Sequence, residues 1–217
     1  MSESPTTICN MALGRLGAER IDSYGDATES SVNAILCRLH YTQTRDALIR
    51  SHRWRFARGR KTLSANVTAP DFEYDYAYDL PVDYLAMQKP YEGVPGITGT
   101  YYNYSAEGKQ ILSNEDEMEI KYIKRVTDPN EFDPLFIEVL VLSLAIKLVM
   151  PISGGGGLGE SVRAGLYVEL HGTPQQPGLM SRVRQMDKEE TNTAGQNLAQ
   201  TWNDAMESGG GDPTQLG

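Results

Sequence analysis

Along the chain, the spacing of apolar residues changes period once near Ser51 and again near Val126, dividing it into helical, strand and helical stretches. Ser4 and Pro5 form an N-cap and first-turn pair, and Ile8, Ala12 and Leu16 mark one face of a short helix ending at Gly17. After the turn Asp22–Asp26, Thr28 or Ser30 caps a second helix over about residues 29–51, whose apolar side carries Val32, Ile35, Leu36 and Leu39. Trp54 and Phe56 then alternate with Arg53 and Arg55, as on a strand with one buried face. Strands are expected at Arg53–Leu63, at Tyr74–Leu80 with its tyrosines on one face, and in a meander of Tyr101–Tyr104, Gln110–Ser113 and Glu119–Val126. Gly108 is placed to take positive φ in the turn Ala106-Glu107-Gly108-Lys109. Pro81, Pro90 and Pro95 bound the connections, because proline cannot donate in a ladder.

Asp133-Pro134 opens the most hydrophobic helix, Leu135–Met150, apolar on nearly every face and therefore needing cover all round. Pro151 is expected to stop it, and Gly154–Gly157 to act as a flexible link to a helix over about Glu160–His171. The run Thr173-Pro174-Gln175-Gln176-Pro177-Gly178 breaks the chain again before a charged helix near Leu179–Glu190. The pattern predicts an α+β protein: an antiparallel helical bundle from residues 1–52 and 128–177, a small antiparallel β-sheet or barrel inserted at 53–127, and an extended C-terminal arm at 178–217. On the arm, Leu179, Met180, Val183 and Met186 form a narrow apolar stripe flanked by Arg182, Arg184 and Lys188. Leu198 and Trp202 form a second anchor pair. Neither stripe is wide enough for a core helix, so both are expected to bury their anchors in a partner or neighbouring subunit.

Composition and charge restrict the function. With 40% hydrophobic and 23% charged residues over 217, the chain has the makeup of a globular protein. Its formal net charge is -9, yet Arg45–Lys61 holds seven basic residues and one acid, leaving -15 for the remainder. A surface so acidic repels a duplex in general. The basic segment has two uses: Arg53, Arg55, Arg58, Arg60 and Lys61 touch a phosphate backbone, or they pair with acids of this chain or a neighbouring subunit. Twelve tyrosines against four phenylalanines favour surfaces that are buried only on assembly, since tyrosine tolerates both states. Cys9 and Cys37 lie on apolar helices and read as reduced small hydrophobes. The N-terminus lacks the basic start and apolar run of a secretory signal. The run Leu135–Ile152, interrupted by Glu138, Ser143, Lys147 and Pro151, reads as too short and too broken to span a membrane.

Candidate chemistry is sparse. Cys37 and His40 share a helix face, but a metal site needs a third ligand, and none is placed with them. Glu115-Asp116-Glu117 with Glu119 reads as a solvated turn, because adjacent acids point different ways. No Gly-x-Ser-x-Gly elbow, Walker A sequence or HExxH occurs, and the tetraglycine lacks the lysine and hydroxyl of a phosphate loop. No catalytic residue, metal or cofactor is expected.

The order of several pieces resembles a known family. Leu16-Gly17 with Ile21 and Ser23, the long helix running into Arg53-Trp54-Arg55-Phe56-Ala57, and Leu80-Pro81-x-Asp83-Tyr84-Leu85 look like tail tubular protein A of short-tailed phages. Phe132, Asp133 and Leu144-Ala145-x-Lys147-Leu148 continue the likeness, which covers roughly residues 5–150. The resemblance implies a structural head-to-tail adaptor of the virion, assembled in the host cytoplasm. Twelve copies would ring a DNA channel between the portal protein and a nozzle of the tail tubular protein B kind. It implies a helical bundle with a projecting β domain, no enzymatic step, no membrane, and DNA that passes without specific binding. The portal then becomes the expected partner of the C-terminal arm. The alternatives are a DNA-binding connector using residues 45–61 and, third, a tail-associated hydrolase.

Overall fold

The computed structural model describes residues 3–90, 104–154 and 156–190. The protein is α+β, with helices packed around one apolar core and small antiparallel sheets around a second. Helix α1 is Pro5–Arg15, capped by Ser4 Oγ, which accepts from Thr7 N at 3.1 Å. Helix α2 is Val32–Ser51, capped by Ser31, whose Oγ accepts from Ala34 N at 3.2 Å. The cap is thus one residue beyond the expected Ser30. Helix α3, Pro134–Ser153, starts from Asp133, which accepts from Leu135 N at 2.8 Å.

Pro151 lies inside the last turn of α3 and does not end it; Gly154 ends it, at φ 70° in the left-handed region. A proline near the helix end loses only one backbone donor, and the turn survives. Ten of the twenty residues of α3 are buried, against α1, α2 and the next helix, α4, Gly157–His171. With 20 residues and a mean hydropathy of 2.3, α3 is long and apolar enough to cross a membrane, contrary to the expectation that this run is too short. Its position at the centre of the packed helices accounts for that apolarity.

The expected flexible glycine link is a short connection between capped helices: Gly154 closes α3 and Gly156 is the N-cap of α4. Gly159, buried in the first turn of α4, lies so close to α3 that a Cβ there would collide with Ser153 Oγ.

Among the described residues, 53–90 and 104–127 form two three-stranded sheets in place of one sheet or barrel. Strands β1 (Arg58–Leu63), β3 (Tyr84–Pro90) and β6 (Met118–Lys124) pair in the order β1-β6-β3. Strands β2 (Tyr76–Asp79), β4 (Tyr104–Glu107) and β5 (Gln110–Ser113) pair in the order β2-β5-β4. Leu63, Met118, Ile120 and Tyr122 from the first sheet meet Tyr78 and Ile111 from the second in the smaller core. Gly59 in β1 makes room for Tyr122, since a Cβ there would lie 2.7 Å from the ring's Cζ. The other face of β6 delivers Ile123 to the helical core, joined by Leu85 of β3. Gly108 turns β4 into β5 at φ 59°, as its position predicts. Residues 101–103 of the expected meander lie outside the described residues.

One expectation is overturned near Trp54. Arg53–Leu63 is not one strand, because Arg55–Ala57 form a single 3-10 turn before β1. Trp54 is nevertheless 1% exposed, stacked on Phe56 and edge-on to Phe136, with Nε1 donating to Leu48 O at 2.9 Å. The described start of the expected C-terminal arm, residues 178–190, is corrected too, while residues 191–217 lie outside the described residues. After the hairpin β7 (Gly172–Thr173) and β8 (Gln176–Pro177), residues 179–190 form a helix, α5, that belongs to the bundle. Met180 and Val183 are buried in the helical core, and Leu179 packs against it. The stripe is narrow, but side chains at three-residue spacing are enough to dock a short helix on an existing core.

Candidate functional site

The described residues are most distinctive in their charged and apolar surfaces. The basic segment separates into two groups. Arg45 is buried in α2, paired with Asp46 at 2.7 Å and lying over the Tyr41 ring, while Arg125 Nε reaches the other oxygen of Asp46 at 2.9 Å. Arg55 pairs with Glu190 and with Asp187 at 3.5 Å, so this candidate contact to DNA or a subunit is spent within the chain. Arg58 donates to Arg53 O at 3.2 and 3.3 Å. Arg50, Arg53, Arg60 and Lys61 are exposed, and among the described residues none has a carboxylate within 4.0 Å. Arg60 and Lys61 border a shallow cavity of about 280 Å³, completed by Thr62, Glu119, Ile120 and Lys121.

The second surface lies on α2. The side that spacing marks as apolar is not the side that is buried: Ala34, Cys37, Tyr41, Thr44, Arg45 and Ile49 face inward. Small residues at positions 34 and 37 let the neighbouring helices approach closely. Val32, Ile35 and Leu39 consequently point outward, 67%, 51% and 57% exposed, as one i, i+3, i+7 stripe. Only Leu36 of the four packs against the core. The three side chains leave an apolar strip on α2 that the rest of the described chain does not cover.

A polar clasp holds α5 to the end of α2. Asp187 Oδ2 accepts from His52 Nε2 at 3.0 Å and Oδ1 accepts from Arg55 N at 3.1 Å, while Arg184 Nη2 donates to Ser51 Oγ at 2.9 Å. Burial pulls the His52 pKa below the usual imidazole value, partly offset by its hydrogen bond to Asp187.

Of the interface candidates on the expected arm, Met180 and Val183 are core residues, Met186 is 50% exposed, and Leu198 and Trp202 lie outside the described residues. Cys9 and Cys37 are buried, free and adjacent; the hydrogen bond with Cys37, together with burial, raises the Cys9 pKa far above the thiol range. Among the described residues, no three His, Cys, Asp or Glu side chains gather as a metal site. The sequence pattern gave no signal for Asp187, whose role depends on a partner more than a hundred residues away. No protein-family model matches the chain, and no curated protein matches it.

Proposed function

We propose that this chain is a structural subunit of a phage head-to-tail connection, forming a ring between portal and nozzle through which DNA passes. The observation that carries the reading is the uncovered stripe Val32, Ile35 and Leu39 along helix α2, a surface suited to assembly. The resemblance of residues 5–150 to tail tubular protein A supplies the kind of assembly. In this reading the bundle is a rigid block, the β sandwich a projecting module, and the chain performs no catalytic step. An acidic overall surface lets DNA slide past a conduit without being gripped. The test is binding of purified portal by the wild-type chain and by an Ile35→Asp, Leu39→Asp double variant. Wild type should bind and the variant should not, with both equally folded. Equal binding would remove the stripe from the assembly, and no binding by either would refute the adaptor.

A second reading, a DNA-binding connector, is favoured by the four cations without carboxylate partners among the described residues, Arg50, Arg53, Arg60 and Lys61. It requires duplex affinity that falls steeply with salt. Gel shifts across a salt series, with Arg60→Glu and Lys61→Glu as controls, separate the two readings.

A further inference from the structure

The β region is electrically divided along its strands. Arg60 stands directly opposite Lys121 across β1 and β6, and Lys61 follows it on β1, the edge strand of its sheet. Like charges in directly opposed positions do not by themselves stabilise a sheet. Charges on an edge also discourage unwanted strand pairing, a role that one lysine fills. Arg60 and Lys61 are exposed and have no carboxylate within 4.0 Å among the described residues.

The far end of the same strands has the opposite sign. Glu115, Asp116 and Glu117 immediately precede β6, beside a loop carrying Asp71, Glu73 and Asp75. Asp75 N donates to Asn114 Oδ1 at 2.9 Å, and the Tyr78 hydroxyl donates to Glu115 O, fastening the two acidic segments together. Among the described residues none of these six carboxylates has a cation within 4.0 Å. No lysine or arginine occurs in residues 64–88 or 110–120. The register Leu63↔Met118 fixes tip and edge at different heights along one antiparallel pair, which holds this tip off its own edge.

We propose that the two patches are the halves of one head-to-tail contact, the acidic tip of one copy seating against the basic edge of the next. The inference rests on the ring reading and names the partner of the basic segment. Its ground is charge complementarity: an acidic tip brings carboxylates to Arg60 and Lys61, and a basic edge covers carboxylates that otherwise repel one another. DNA would satisfy the edge alone and would be repelled by the tip of the same domain. A contact between two different patches is heterologous, the kind that closes into rings when its rotation permits.

Charge exchange tests it by sedimentation at low salt, where the screening length is about 30 Å. The edge variant carries Arg60→Glu and Lys61→Glu; the tip variant carries Glu115→Lys, Asp116→Lys and Glu117→Lys. Wild type should self-associate at least tenfold more tightly at low than at high salt, and each variant alone should remain monomeric. An equimolar mixture of the two should associate, because acid edge meets basic tip and basic edge meets acid tip in alternation. A chain with all five substitutions should associate as wild type does. Salt-independent or absent association of wild type, variants that associate normally, or a mixture that stays monomeric would each overturn the contact. So would an edge variant that loses duplex binding while keeping self-association, which would give the edge to DNA. Variants that still bind portal as rings would defeat this contact alone, whereas a wild-type chain that binds no portal would defeat the ring reading.

Discussion

Trp54 follows the end of the long helix α2 and fills the aromatic cluster under α3. Replacing it with alanine removes a ring at 1% exposure, leaves Leu48 O without its donor, and opens a cavity beside Phe136. Trp54→Ala should cost about 3–5 kcal/mol in urea-induced unfolding, the usual loss for a buried aromatic. A loss below about 1 kcal/mol would mean that the cluster collapses around the gap. The sequence pattern located this burial by alternation with Arg53 and Arg55 but assigned the wrong backbone. A 3-10 turn also sends neighbouring side chains to different sides, so alternation over four residues cannot separate the two. His52 makes a second prediction at this scale. Its folded pKa is depressed, so between that value and the unfolded 6.5 the unfolded chain binds more protons, and stability rises with pH. Stability should therefore decline as pH falls below about 6.5, the ordinary histidine value, and the decline should shrink in His52→Gln. An unchanged slope in that variant, followed by denaturant melts across pH, would place the titration elsewhere.

At the scale of elements, α2 and α5 show how local pattern and long-range packing part company. Periodicity finds a helix because apolar residues recur, yet it does not say which of two sides meets the core. Here Ala34 and Cys37 go inward and Val32, Ile35 and Leu39 stay outside. Ile35→Asp with Leu39→Asp should consequently change unfolding free energy by no more than about 0.5 kcal/mol, the range for surface substitutions. A large destabilisation would mean that the stripe is covered within the subunit. Helix α5 is the converse case. Its stripe looked too narrow for a core, but Met180 and Val183 land on the bundle and Asp187 clasps His52, a contact no local window contains. Ending the chain at Gly178 should lower Tm by on the order of 10 °C, from two or three apolar side chains at about 1.5–3 kcal/mol each. A truncated chain with unchanged melting would return α5 to the status of an arm.

For the whole molecule, the α+β class was readable because periods of 3.6 and 2 occupy different stretches. The pairing of six strands into two sheets was not readable. Strand β3 carries Tyr84 and Leu85 toward different cores, which breaks simple alternation. The site was less legible than the fold, since charge runs name candidate cations without saying which are already paired. Arg45 and Arg55 turned out to be bound internally, while Arg60 and Lys61 were left to the surface. The adaptor account predicts little duplex affinity at about 150 mM salt, where charges beyond roughly 8 Å are screened and the acidic remainder dominates the encounter. The most direct measurement is electron imaging of this chain mixed with the portal protein that the proposal gives it as a partner. The account predicts a closed ring of copies capping one end of the portal channel. Portal particles left bare in the presence of excess, folded protein would contradict it.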